Sequence, residues 1–280
     1  MAHTLEDARR LAEAAKNSTQ VFQVGQLGRV NPIYNLAWKF YRSGSIGDLV
    51  ALRSRSAEKT TWTTPVRDAA DQKALNWRTD AAVSLGLPGE LGVHQFDVFH
   101  WFTGEYPTSV RGSGSIRLHK DGRQVPDTVS TSMRYPDGTQ LGWEATIANS
   151  FDGSYEQFEG ALGTFKLGWT HGWLFKEADS PTQGWEVYAN RQSVGNEQGI
   201  TLIADATQLA AQNKLKDGVG LPESSLWYGL EAFIKSCTEG SEVACTASEG
   251  ARSLMVALAA AEAVRTGDEV PIDADVLNSL

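Results

Sequence analysis

The feature that most constrains this chain is a stretch from Ser109 to about Phe175 in which short runs of strand-like residues alternate with turn signals. Lys120-Asp121-Gly122-Arg123 and Pro136-Asp137-Gly138-Thr139 are hairpin-type turns, since glycine after aspartate supplies the positive φ that tight turns need. Segments 128–135, 140–148, 155–160 and 163–169 read as successive strands. Strands joined by such short turns run antiparallel. The rest of the chain must then supply whatever covers one face of that sheet.

The flanking segments read mainly as helices. Thr4 followed by Asp7 opens a first helix, and Leu5, Ala8, Leu11, Ala12 and Ala15 give it an apolar stripe. Val21-Phe22-Gln23-Val24-Gly25 then reads as a short strand, half a repeat of an α/β domain. Asn31-Pro32 opens a second helix, with proline at the favoured first turn. Its buried face is Ile33, Leu36, Ala37, Phe40 and Tyr41, and a strand over 48–56 follows. Residues 226–236 form a helix ended by Gly240, and Thr246 with Glu249 caps a long final helix closed by Gly267. The expected fold is α+β: a large open, mainly antiparallel sheet with helices on one face, preceded by a helix–strand remnant of a Rossmann domain. The expected domains are 1–27 for the remnant and 28–280 for the α+β body.

Composition narrows the partners. A formal net charge of −9 with no basic stripe argues against nucleic acid. No apolar run approaches membrane-spanning length, and Cys237 and Cys245 have no further ligands nearby to make a zinc framework. Two lone cysteines make a reducing, cytoplasmic setting the default, whereas the absence of a leader says little because the first residues read as the middle of a domain. Nine tryptophans are many, and Trp62, Trp77, Trp101, Trp143, Trp169, Trp173 and Trp185 sit beside polar residues. Flat aromatic faces beside hydrogen-bonding groups suit sugar rings, although tryptophan is also a core residue.

The chemistry concentrates at 84–97, where glycines and a proline lead into a segment bearing Glu90, His94 and Asp97. At helical spacing these three share one face. Apolar Leu91, Val93, Phe96, Val98, Phe99 and Trp101 surround them, so the ionisable groups need partners or a function. As plain structure, His94 would be a satisfied core histidine and Glu90 a helix-start carboxylate. The three could also contribute ligands to a metal, but no metal site is assigned.

The order of landmarks resembles the Gfo/Idh/MocA family of NAD(P)-dependent oxidoreductases acting on sugars, inositols and related polyols. The resemblance is carried by residues 1–15, Phe22-Gln23-Val24-Gly25 through Arg29-Val30-Asn31-Pro32, 44–47, 89–104, Phe158-Glu159-Gly160-Ala161-Leu162-Gly163-Thr164, and 226–267. Family members carry a further segment before this point, with a strand, a G-x-G-x-x-G loop and a helix whose N–H groups meet a pyrophosphate. Here Gly112-Ser113-Gly114 is the nearest match; it lacks the third glycine and reads as a strand or bulge feature. Met1-Ala2-His3-Thr4 corresponds to the residues just after the family's Glu-Lys-Pro motif, whose lysine serves in catalysis. The resemblance therefore implies a member shortened at its N-terminus, not binding NAD or NADP by this chain alone and inactive alone; no cofactor-binding residue is assigned.

By the same resemblance His94 acts at the hydroxyl that becomes a carbonyl, a task suited to an imidazole titrating near neutrality. Glu90 stands where the family often has aspartate and would orient the imidazole or touch a sugar hydroxyl. Asp97, Trp77, Arg78, Arg29 and Asn31 are the substrate-binding candidates, Arg78 for its forked hydrogen bonds and Trp77 for stacking. Lys59, Tyr155 and His171 are weaker candidates, and His119 reads as a solvated turn residue. The expected partners are a sugar or polyol and a second copy, in a homo-dimer or homo-tetramer through the open sheet face. Two alternatives compete: a glycosidase-like relative using tightly held NAD, and a non-enzymatic polyol-binding or oligomerisation module.

Overall fold

The computed structural model describes residues 1–204, 206–212, 214 and 219–280. Among these, the helices are α1 (Leu5–Lys16), α2 (Pro32–Arg42), α3 (Ala69–Leu75), α4 (Val93–Thr103), α5 (Ala206–Ala211), α6 (Ser225–Glu239), α7 (Ala247–Thr266) and α8 (Ala274–Asn278). The strands are β1 (Leu49–Ala57), β2 (Ser109–Ser115), β3 (Thr128–Arg134), β4 (Gln140–Thr146) and β5 (Ser154–Gly160), then β6 (Gly163–Gly168), β7 (His171–Lys176), β8 (Arg191–Val194), β9 (Glu197–Thr201) and β10 (Val270–Pro271). They follow the sheet order β10-β2-β3-β4-β1-β5-β6-β7-β9-β8. The chain divides into two compact units: Met1–Val24, Ser54–Ser154 and Cys245–Leu280 form the first, and Gly25–Arg53 and Tyr155–Ala244 the second.

In the first unit β10, β2, β3 and β4 pair antiparallel, with Gly112 opposite Thr131 and Thr131 opposite Trp143. The alternation in β3 buries Val129, Thr131 and Met133 and leaves Ser130 and Ser132 exposed, so one face is covered and one is open. α7 lies on the covered face. Added Cβ atoms at Gly112 and Gly114 would come within 3.0 and 2.7 Å of Val264, so these glycines are what lets helix and strand approach. Thr246 and Glu249 bond each other's backbone N–H groups at the start of α7, and Gly267 ends it at φ 79°. α1 packs on α7 through Ala8 against Ala251 and Leu254.

In the second unit β5, β6 and β7 pair antiparallel, and α2 lies across them with Ile33, Tyr34 and Ala37 buried. Tyr34 and Glu156 are both fully buried, and the tyrosine hydroxyl donates to Glu156 Oε2. Burial, then the Glu156 charge, push that hydroxyl's pKa well above its ordinary value. α6 is capped by Ser224, whose Oγ accepts from the Trp227 N–H, and ends at Gly240.

Several expectations change. Val21–Gly25 belongs to no strand of the sheet. A strand exists by pairing, and the Val24 N–H goes to the Cys245 carbonyl at 3.0 Å, a loop contact. β8, β9 and β10 add to the strands expected from sequence. The open face of β2, β3 and β4 is polar, presenting Ser113, Ser130, Ser132 and Glu144. His119 is half-buried, with Nε2 3.3 Å from the Ile147 carbonyl, because its loop folds over the Asp127 carboxylate. Among the described residues no helix is long and apolar enough to cross a membrane.

Candidate functional site

The segment Pro88–Gly92 is a wide, π-type turn that runs directly into α4. The Val93 N–H bonds the Pro88 carbonyl, one residue further back than in an α-helix. Such an insertion rotates the facing of the next helical residues and is frequent at functional sites. Gly92 is needed here because a Cβ would lie 2.7 Å from Phe96 and 3.0 Å from Trp143. α4 is then fixed to the sheet by its apolar residues and by Gln95, which accepts from Trp143 Nε1 at 2.8 Å and donates to the Arg55 carbonyl at 3.0 Å. The helix body is anchored, and its polar residues are held in place by that anchoring.

Glu90, His94 and Asp97 differ in environment. Asp97 is fully buried and accepts from Ser253 Oγ of α7 at 2.8 Å. Glu90 and His94 are half-buried. Burial lowers the His94 pKa; the Asp97 and Glu90 charges oppose it, the N-terminal ammonium adds to the lowering, and the net shift is downward. The imidazole is therefore neutral at pH 7, the form that accepts a proton, with two carboxylates placed to stabilise the imidazolium.

Trp77 and Arg78 stand in the same unit, on a short 3₁₀ turn, Trp77–Thr79. Arg78 Nε donates to Glu90 Oε2 at 2.7 Å, and its guanidinium lies 4.7 Å from the centre of the Trp77 ring. The turn is held by Asn76, which is buried: its Oδ1 accepts from the Thr64 N–H at 2.6 Å and its Nδ2 donates to the Thr64 carbonyl at 3.1 Å.

The remaining candidates lie elsewhere. Asn31 belongs to the second unit and is fully buried at the start of α2. Its Oδ1 accepts from the Ile33 and Tyr34 N–H groups, and its Nδ2 donates to the Trp169 carbonyl at 2.6 Å and to Ser225 Oγ at 3.3 Å. An amide so engaged serves as the cap of α2. Arg29, also in the second unit, lies in the 3₁₀ turn Leu27–Val30, and its carbonyl accepts from Asn35 Nδ2. Lys59 has its N–H on Ser150 Oγ, Tyr155 lies 4.2 Å under the Lys166 ammonium, and His171 Nδ1 is 2.9 Å from Thr170 Oγ1. Ser253, Asn76 and Gln95 escaped the sequence reading. Their one signal was a polar side chain at an apolar position of its element.

Among the described residues no group of three or more His, Cys, Asp or Glu converges as a metal site would require. Gly112-Ser113-Gly114 lies inside β2, with Thr131, Pro126 and Val264 packed where Cβ atoms would stand. A strand so covered cannot fold around a pyrophosphate, so these residues do not fit the phosphates of a dinucleotide.

The profile of the oxidoreductase family's C-terminal alpha/beta domain matches residues 42–272. Levoglucosan dehydrogenase of Pseudarthrobacter phenanthrenivorans is 23% identical over 180 residues, which cover 57% of this chain and 44% of that protein. The match thus spans less than half the length of that curated relative. Among solved structures, levoglucosan dehydrogenase in complex with NADH and levoglucosan superposes with a TM-score of 0.70 at 19% identity, covering 97% of this chain and 71% of the other. An NAD binding oxidoreductase from Klebsiella pneumoniae gives 0.72 at 16% identity, with the same coverage. These likenesses establish a shared fold.

Proposed function

Because the chain belongs to the Gfo/Idh/MocA oxidoreductase family, we propose that it forms the substrate side of an oxidoreductase acting on a sugar or related polyol. The observation that carries this reading is His94: a half-buried imidazole kept neutral by burial, with Glu90 and Asp97 near enough to stabilise its protonated form. His94 takes the proton of the hydroxyl being oxidised. Glu90 and Arg78 bind neighbouring hydroxyls, one as acceptor and one as donor, and Trp77 offers an aromatic face. A curated relative named for levoglucosan, and a solved neighbour holding NADH with levoglucosan, support a sugar-like substrate.

A nicotinamide serves the family as hydride acceptor, but the glycine pair of β2 is closed by packing. No binding of NADH or NADPH, and no turnover, is accordingly expected of the chain alone; calorimetric titration giving micromolar affinity would contradict that. Cys237 is exposed and Cys245 buried, and a cytoplasmic setting belongs to the same proposal. A homo-dimer or homo-tetramer through the open sheet face is the assembly to test by light scattering.

The substrate reading is tested by NMR. Addition of levoglucosan, L-sorbose or myo-inositol should shift the His94 ring resonances with millimolar saturation. No response to any polyol would overturn it.

A further inference from the structure

Among the described residues Trp62 is one of three non-glycine residues with positive φ, and at 60° it sits in the left-handed region that a bulky side chain avoids. Such a conformation persists only where the surroundings over-determine it, and at this turn they do. The Thr63 N–H bonds Thr61 Oγ1 at 3.0 Å, closing a tight turn around Trp62. On one side the Thr60 N–H is tied to the Ile147 carbonyl at 3.1 Å. On the other, Thr64 is held at both its N–H and its carbonyl by the Asn76 amide. The Thr61 carbonyl accepts from Arg123 Nη2 at 2.7 Å, and the Arg123 side chain is fully buried. Asp121 grips that guanidinium with both oxygens, at 2.9 and 2.6 Å.

The same clamps reach the turn that carries Trp77 and Arg78. Asn76 immediately precedes Trp77, and next to Arg123 the Gln124 N–H bonds the Thr79 carbonyl at 3.0 Å. Residues 121–124 therefore brace the Trp62 turn and the Trp77–Thr79 turn together, all within the first unit. Burying an arginine and straining a tryptophan have no evident benefit to the core, since the Trp62 ring is only half-buried.

Resting on the substrate reading above, we propose that Trp62 is a substrate-binding residue whose indole stacks on the apolar face of the polyol ring, with Arg123 as its positioning residue. The Thr61 and Thr63 hydroxyls bond each other and close the turn, which leaves the half-buried indole as a rigid aromatic plane, the match for the C–H face of a sugar. The strain at Trp62 fixes the plane in advance, so little ordering remains when the ligand arrives.

The experiment is fluorine NMR of the protein labelled with 5-fluorotryptophan, whose nine tryptophans give nine resonances, with Trp62 assigned by its absence in Trp62→Phe. On titration with levoglucosan and myo-inositol the Trp62 resonance should move with the saturation curve of the His94 ring. Trp62→Asn, which tolerates the left-handed region, should weaken polyol binding about ten-fold while the melting temperature holds or rises. Trp62→Phe should restore most of the affinity. Arg123→Lys should weaken binding and broaden the Trp62 resonance. A polyol that shifts His94 and leaves both Trp62 and the Trp62→Asn affinity unchanged overturns this inference alone, whereas no shift at either residue overturns the substrate reading with it.

Discussion

Arg78 reaches across twelve residues of sequence to Glu90, Nε to Oε2 at 2.7 Å, and so ties the turn that carries Trp77 to the wide turn that opens the His94 helix. The ion pair is 45% exposed on the arginine side and 23% on the carboxylate side. A pair that wet contributes little to folding, about 0–1 kcal/mol. Its geometry instead presents a donor fork and an acceptor side by side at the surface, as recognition of adjacent hydroxyls requires.

Arg78→Ala should therefore separate binding from stability. Polyol affinity read by the His94 shift is expected to fall about ten-fold, the effect of losing charge-assisted hydrogen bonds. Chemical denaturation should change by less than about 1 kcal/mol. Equal losses in both measurements would mark Arg78 as a structural residue.

The His94 imidazole gives a pH signature with a definite sign. Its folded pKa lies below the ordinary 6.5, so between the two values the unfolded chain binds more protons. Stability should rise with pH through that window, and fall as pH drops below about 6.5 toward the folded pKa. Since the Glu90 charge raises the imidazole's pKa against the larger effect of burial, Glu90→Gln should lower it further. NMR titration of the ring in both proteins checks the order, and a higher value in Glu90→Gln would refute it.

Much of this fold was legible because local chemistry and tertiary position agree. The turns at Asp121-Gly122 and Asp137-Gly138 place glycine at positive φ, 86° and 93°, where no other residue fits as well. Asn31 before Pro32 and Thr246 before Glu249 announce their helices for equally local reasons. Other features depend on partners far along the chain. Val21–Gly25 has the composition of a strand, yet pairing decides, and among the described residues it is not part of the sheet. The spacing of Glu90, His94 and Asp97 suggested one shared face, but the wide turn at Pro88–Gly92 and the packing of α7 leave Asp97 buried against Ser253 and the other two half-exposed. Nothing local distinguishes Asn31 the cap from Asn31 the ligand until Trp169 and Ser225 are seen at its amide.

Asp127 offers a test of a buried carboxylate whose role is structural. Burial pushes its pKa up, but the N–H groups of His119, Arg117 and Leu118, at 2.8 to 2.9 Å, together with the Thr128 hydroxyl, outweigh that and hold it below 3.8. A depressed carboxyl contributes stability that is present above its unfolded pKa and lost as pH falls through the folded one. Asp127→Asn should cost about 3 kcal/mol at pH 7 in urea denaturation, given about 1.5–3 kcal/mol for a hydrogen bond to a charged group. The difference from wild type should shrink toward pH 3. A constant difference at both pH values would show that charge is not what holds the loop.

Gly114→Ala decides between two meanings of the glycine pair in β2. A cradle for phosphate leaves room above the backbone, whereas here a Cβ would stand 2.7 Å from both Pro126 and Val264. Those atoms belong to a proline ring and to a branched side chain of α7, and neither retreats cheaply, so helix and strand must part. Overpacking of this kind costs about 1–3 kcal/mol. The expected result is a lowered denaturation midpoint with an unchanged slope, partly recovered by Val264→Ala in the same chain, since that removes one of the two obstructing groups. A variant as stable as wild type would show that α7 does not press on β2 at this point, and would reopen the strand to a ligand.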